Sequence, residues 1–293
     1  MGKELAEKYP AARDIFERVD AALGAPLTRL MWEGPEEELM LTHNAQPAIL
    51  AHSVAALAAL GDGIGPVAMA AGHSLGEYSA YVAAGSLTVE DGVRLVRRRG
   101  ELMFEAGQAR PGAMAAVLGL STAEVTAACS EASVSGGVAV AANQNAPDQT
   151  VISGDPEAVD RAGARCRELG AKRVIPLKVS GAFHSPLMEP AVPGLTAALA
   201  ATPFGEPRFP VVANATATPI RTAAEARQRL VDQLTAPVRW VASVETLARD
   251  AAGARFVEAG PGAVLSGLIR RIVAGSETVT LGTSDDVARL QAA

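Results

Sequence analysis

One short stretch narrows the folds open to this chain more than any other. An apolar run, Pro66 to Ala71, enters Gly72-His73-Ser74-Leu75-Gly76 and leaves as LGEYSAYVAA, ending at Gly85. A G-x-S-x-G between a strand and a helix makes a sharp turn that holds the serine hydroxyl above the helix N-terminus. The glycines allow the tight turn without Cβ clashes. The Leu75 N–H and the helix dipole then face any oxyanion that develops beside Ser74. Five residues alone also fit a helix-start serine with spacing glycines. The strand before and the helix after favour a nucleophile, and they require an α/β fold with a mainly parallel sheet.

At 293 residues, the chain exceeds the usual single-domain size, so a large domain with a smaller insertion, or two domains, is expected. Hydrophobic residues make up 49% of it and aromatics only 4%, a composition suited to helices packed closely on a sheet. A net charge of −6 argues against a nucleic-acid partner. No apolar stretch of about 18 residues is evident, so no membrane span is expected. The N-terminal MGKELAEKYP has no secretory apolar run. Cys129 and Cys166 lie in helix-like segments away from every motif and read as reduced packing residues, which fits a cytoplasmic enzyme.

Periodicity predicts an amphipathic helix over 3–22, with Leu5, Tyr9, Ile15 and Val19 on its apolar face. Gln46–Leu60 is apolar nearly all round and reads as a buried helix. Thr88, with Asp91 three residues on, opens a helix over about 89–108. Then the rhythm changes: strand 113–119, helix 122–133, strands 138–142 and 149–153, helix 155–169, strand 173–179. The order β-α-β-β-α-β predicts a ferredoxin-like small subdomain over 110–180. It is inserted into a hydrolase-like large subdomain of 1–109 and 181–293. PVVANAT and ARFVEAG are expected in or beside the main parallel sheet.

A serine nucleophile needs a base, and the chain has four histidines. His52 lies in the apolar helix, and His43 sits in a polar stretch. His73 adjoins Ser74 and points away from it, although it remains a candidate to line the pocket. His184 follows a strand in the small-residue loop SGAFHSPLM, which leaves its ring accessible, and it is the favoured base. Arg97, Arg98 and Arg99 cannot share one helix face. Arg99, four residues before Met103, tilts toward the apolar side, where a guanidinium would hold a carboxylate by two parallel hydrogen bonds. Spacing alone leaves that role open.

GHSLGEYSA (72–80), RLVRRRGELM (94–103), NQNAPDQTVISG (143–154), SGAFHSPLM (180–188) and EAGPGAVLSGL (258–268) resemble, in order, the motifs of malonyl-CoA:acyl carrier protein transacylases. The likeness covers nearly the whole chain. It implies Ser74 as nucleophile, His184 as general base and then acid, and Arg99 as the site for the malonyl carboxylate. It implies that the Gln233 carbonyl orients His184, in place of an acidic third residue. It also implies that Phe183 crowds branched malonates, with His73 and Met103 completing the pocket. The implied reaction carries malonyl from malonyl-CoA to the phosphopantetheine thiol of acyl carrier protein for fatty-acid synthesis, with no cofactor, no metal and a monomeric enzyme. Lys172, Arg173, Arg270 and Arg271 are candidate contacts for an acidic carrier.

Members of that family begin with a strand and a Gly-Gln-Gly-Ser-Gln-like loop, whose glutamine supplies a second oxyanion N–H. Met1-Gly2-Lys3 falls at what would be the end of that loop, so the resemblance implies a missing first strand and lowered activity. A free-standing acyltransferase for a polyketide synthase has the same chemistry, and a weakly active scaffold is a further alternative. An α/β-hydrolase esterase fits less well, because its histidine lies near the C-terminus, whereas over a third of this chain follows His184.

Overall fold

A helix with apolar residues on every side is stable only when enclosed, and the fold is arranged around the one carrying Gln46–Leu60. The computed structural model describes residues 1–134 and 137–292. Four short helices come first: α1 (Lys3–Lys8), α2 (Pro10–Leu23), α3 (Leu27–Glu33) and α4 (Glu36–Leu39). The single helix expected over 3–22 is thus divided. Pro10 stands first in α2, and the residue before a proline is driven out of helical conformation; Tyr9 is extended at φ −119°, ψ 111°.

The central helix is α5 (Thr42–Leu60), with Leu50, Ala51, Ala55 and Ala56 fully buried. By length and composition Thr42–Ile64 would reach across a membrane, contrary to the reading that no such stretch exists, but most of it is buried within the fold. A two-residue strand β1 (Ala70–Ala71) leads into α6 (Gly76–Ala83), and Thr88 caps α7 (Val89–Ala109) by accepting the Asp91 N–H at 3.1 Å. α7 crosses α5 at backbone distance, since a Cβ on Gly100 would lie 2.6 Å from the His43 Cα. That crossing draws the neighbouring Arg99 beneath α5.

Between 113 and 176 the chain forms β2 (Ala113–Leu118), α8 (Thr122–Val134), β3 (Ala139–Ala146), β4 (Gln149–Gly154), α9 (Pro156–Glu168) and β5 (Arg173–Pro176). The four strands pair antiparallel in the order β3-β4-β2-β5, with Met114 opposite Ser153 and Val117 opposite Val174. α8 and α9 cover one face, with Val125, Cys129, Val159 and Cys166 clustered with Ile152 of β4. Both cysteines are free and buried, and burial pushes the Cys129 thiol up to about 12. On the other face Met114, Ala142 and Val151 pack against Phe183.

After a 3-10 turn at Pro186–Ala191 come α10 (Val192–Ala201), β6 (Val211–Val212), β7 (Pro219–Ile220), α11 (Ala223–Asp232), α12 (Trp240–Asp250), β8 (Phe256–Ala259), α13 (Val264–Ile272), β9 (Thr278–Leu281) and α14 (Ser284–Gln291). β1 pairs parallel with β6, as Ala70–Val211 and Ala71–Val212, and β6 carries β7 antiparallel. β8 pairs parallel with β9 in a separate sheet. The single main sheet expected from the sequence is therefore in two pieces. Among the described residues, no strand pairs with the second edge of β1 or of β8. Ala71 and Phe256 nevertheless share one apolar cluster with Val238 and Trp240.

Candidate active site

Ser74 sits in the turn between β1 and α6 at φ 52°, a left-handed conformation uncommon outside glycine. The turn closes because position 72 has no side chain: a Cβ there would lie 1.9 Å from the Gly76 carbonyl oxygen. Asn214, just beyond β6, holds it from outside. Its Oδ1 accepts the Ser74 N–H at 2.7 Å, and its Nδ2 donates to the Gly72 carbonyl at 2.8 Å. Leu75 follows as the N-cap of α6, so its N–H stands at a helix N-terminus beside the nucleophile.

His184 is likewise held at positive φ, 55°. The expectation of an accessible ring is wrong, for His184 is only 3% exposed. Its loop folds inward because Gly107 and Gly112 of the segment around the end of α7 leave room: Cβ atoms there would lie 2.1 Å from the Ser180 oxygen and 2.5 Å from the Ala182 Cβ. The His184 Nε2 is 2.8 Å from the Ser74 Oγ, and the Nδ1 is 2.9 Å from the Gln233 carbonyl. The Nδ1–H donates to that carbonyl, which leaves Nε2 to accept the serine proton. Burial first, and the Arg99 charge second, push the His184 pKa down to about 3. The ring is thus a neutral base at physiological pH.

Arg99 is the largest fully buried side chain, 1% exposed. Its guanidinium donates to the Gln46 Oε1 at 2.6 Å, the Gln233 Oε1 at 2.9 Å and the Ser74 Oγ at 3.1 Å, and it lies over the Tyr78 ring. Among the described residues no carboxylate touches it directly, and its Nε has no partner. A buried cation in that condition favours a ligand that brings an anion. A cleft of about 510 Å³ opens beside it, lined by Ser74, Leu75, Arg99, Met103 and Phe183, with Met40, Lys178 and Val179 at its mouth. Arg97 and Arg98 point elsewhere, to Asn44 and to Glu101 with Glu105.

His73 does not line this cleft. Its Nε2 bonds the Asn145 Oδ1 at 2.8 Å and its ring tilts against Trp240, because adjacent side chains at the turn diverge. His52 bonds the Gly282 carbonyl at 2.7 Å, and His43 meets the Phe104 edge. Of the basic residues, Arg271 pairs with Asp148 and Arg270 donates to Thr278 at 2.6 Å, while Lys172 and Arg173 are exposed.

Three residues of the site escaped sequence reasoning: Gln46, Asn214 and Glu77. Glu77 is fully buried; its Oε2 accepts the Asn214 backbone N–H at 3.0 Å and the Gln233 Nε2 at 2.7 Å. Burial pushes its carboxyl up to about 7, against the pull of these hydrogen bonds and of Arg99. The one sequence signal for Glu77 is its place directly after the turn, on the first turn of α6. Gln46 and Asn214 meet the site only through tertiary packing.

Comparison with known proteins fits this constellation. A family model described as "Acyl transferase domain" matches residues 1–286. The malonyl CoA-acyl carrier protein transacylase of Bacillus subtilis is 43% identical over 288 residues, covering 98% of this chain and 90% of that protein. The Escherichia coli K12 protein of that name is 44% identical, covering 99% and 93%. Among solved structures, a malonyl CoA-acyl carrier protein transacylase from Coxiella burnetii superposes with a TM-score of 0.94 at 39% identity, covering 99% of this chain and 91% of that one. A type II PKS acyl-carrier protein in complex with its malonyl-transacylase gives 0.94 at 40% identity, covering 100% and 94%. The chain belongs to the acyl transferase domain family, within its malonyl-CoA:acyl carrier protein transacylases.

Proposed function

We propose that the protein transfers malonyl from malonyl-CoA to the phosphopantetheine thiol of an acyl carrier protein, through an ester on Ser74. The observation that carries this reading is the fully buried Arg99 guanidinium 3.1 Å from the Ser74 Oγ. A malonyl group esterified to that oxygen carries its free carboxylate two carbons away, within reach of the guanidinium.

The steps follow from the hydrogen bonds. The Ser74 Oγ attacks the thioester carbonyl while its proton passes to the His184 Nε2, and the Gln233 carbonyl steadies the imidazolium through Nδ1–H. The Leu75 N–H faces the oxyanion. The imidazolium then protonates the departing CoA sulfur. In the second half the carrier thiol gives its proton to the same Nε2 and attacks the ester; the imidazolium returns that proton to the departing Ser74 Oγ, and the malonyl thioester leaves. An acetyl group would leave the buried guanidinium unpaired and is penalised accordingly. Phe183, at the wall of the cleft, crowds an α-methyl substituent.

The finer architecture belongs to the same proposal: a hydrolase-like large subdomain of 1–109 and 181–293 and a ferredoxin-like small subdomain of 110–180. The enzyme acts as a monomer in the cytoplasm, and Lys172, Arg173, Arg270 and Arg271 are the candidate carrier contacts.

The test is intact mass after mixing with malonyl-CoA, with Ser74→Ala as control. A malonyl adduct on the parent, absent in Ser74→Ala and discharged by holo carrier protein, is the expected result. Carriers of fatty-acid and of type II polyketide systems are compared side by side, since the solved carrier complex is of the second kind. No adduct on the parent refutes the transferase reading.

A further inference from the structure

The transfer mechanism leaves the buried carboxyl of Glu77 without a task. Glu77 is fully buried, yet its Oε1 has no hydrogen-bond partner, an arrangement that costs an ionised carboxylate more than a neutral one. It is joined to the substrate site through one side chain. The Gln233 amide accepts from Arg99 through Oε1 at 2.9 Å and donates to Glu77 through Nε2 at 2.7 Å. The same Nε2 lies 3.0 Å from the Ser74 carbonyl. Arg99 and Glu77 are therefore opposite charges linked through one amide.

A malonyl carboxylate brought onto Arg99 makes two anions around one buried cation. Like charges in a buried site favour neutralisation of one of them. Building on the proposed malonyl transfer, we propose that Glu77 is a positioning residue that surrenders its charge when the carboxylated acyl group arrives, so that acylation of Ser74 takes up one proton. The proton comes from solvent and ends on the Glu77 carboxyl; no bond of the acyl transfer changes. Glu77 then remains hydrogen-bonded to Gln233 and Asn214, and Arg99 is released from it to the substrate.

The other ionisable groups facing Glu77 come from its own helix and from the elements packed against it. On its own helix Tyr78 and Tyr81 are held protonated by burial. α7 presents Arg99, which is a cation throughout. Across Ser74, His184 is neutral well below neutrality. From α5, His52 is lowered by burial and His43 faces Phe104. α11 offers Gln233 and, toward Tyr81, Glu225. The loop after β6 offers Asn214. With burial raising the Glu77 carboxyl to about 7, the coupling falls in an accessible range.

The experiment follows acylation of Ser74 by malonyl-CoA from pH 6 to 8.5 in the parent and in Glu77→Gln. Adduct is quantified by intact mass, and proton uptake by an indicator dye in weak buffer. In the parent, kcat/KM for acylation falls by up to about tenfold per pH unit above neutrality, and acylation at pH 8 takes up close to one proton more than in Glu77→Gln. The released CoA thiol contributes equally to both proteins. Glu77→Gln gives a flat profile. A flat parent profile, a parent that takes up no proton, or a variant that keeps the parent slope overturns the proposal. The parent measurements decide it even if the variant fails to fold. Absence of any adduct refutes the transferase reading instead, so the two failures are distinguishable.

Discussion

Gly107→Ala is a one-methyl change outside the catalytic constellation, and it should cost the enzyme more activity than stability. The new Cβ would stand 2.1 Å from the Ser180 carbonyl oxygen and 3.2 Å from the Gly181 Cα. Non-bonded heavy atoms are comfortable at about 3.5 Å, so Ser180 must retreat by about 1.4 Å. Ser180 opens the loop that ends in His184, whose Nε2 is 2.8 Å from the Ser74 Oγ. A misplacement of about 1 Å in a reacting pair costs on the order of 10²-fold in rate. Stability moves less: overpacking costs about 1–3 kcal/mol, offset by up to about 1 kcal/mol from replacing a glycine in the last turn of α7. The assay is the acylation rate of Ser74 by quenched-flow mass spectrometry, beside a thermal melt. Acylation within about twofold of the parent, at unchanged Tm, would refute the claim that α7 sets the position of the base.

Arg99→Ala removes two charge-assisted hydrogen bonds to the malonyl carboxylate, each about 1.5–3 kcal/mol. Malonyl loading should fall by about 10²-fold or more, while the ratio of acetyl to malonyl loading rises in a competition assay with both CoA esters. Asp286 accepts from the Thr280 hydroxyl and the Gly282 and Thr283 N–H groups, which outweigh its burial and hold its carboxyl down to about 2 from 3.8. A depressed carboxylate stabilises the fold above its unfolded value and ceases to do so as pH falls through the folded one. Asp286→Asn should therefore cost roughly 2 kcal/mol at pH 7 in denaturant melts, with the difference gone near pH 2.

Local signals placed Ser74 in its strand-to-helix turn because the requirements of that turn are local: two glycines, a strand before and a helix after. Likewise the strand and helix alternation over 113–176 is written in short-range periodicity. Arg99 was harder. Three arginines in a row carry no marker of which one is buried, and what decides it is Gly100, whose missing side chain lets α7 press against His43. The accessible loop expected around His184 failed for a similar reason. Small residues in SGAFHS read as exposure, whereas their effect is to let the loop pack against Gly107 and Gly112. The break at Tyr9 was legible from Pro10 and was masked by an apolar pattern that runs across both helices. Gln46, Asn214 and Glu77 meet only once distant segments pack, and no spacing rule reaches them.

That network also accounts for the carbonyl behind His184 where serine hydrolases place a carboxylate. Two charges about 4 Å apart attract by about 4 kcal/mol at the effective dielectric of protein sites. An aspartate at the Gln233 position would bring such a charge beside both His184 and Arg99. It would hold the guanidinium that the substrate carboxylate is meant to find, and malonyl would have to displace it. Gln233 avoids this by dividing the work: its backbone oxygen orients the imidazole at 2.9 Å, and its side-chain oxygen holds Arg99 at 2.9 Å without neutralising it. The base remains neutral, since burial and the nearby cation both oppose its protonation. Glu77 is set behind that amide and linked to the cation through it. Selectivity for a carboxylated acyl group and the absence of an acidic triad member are thus one electrostatic arrangement, in which the cation must be left for the substrate to neutralise.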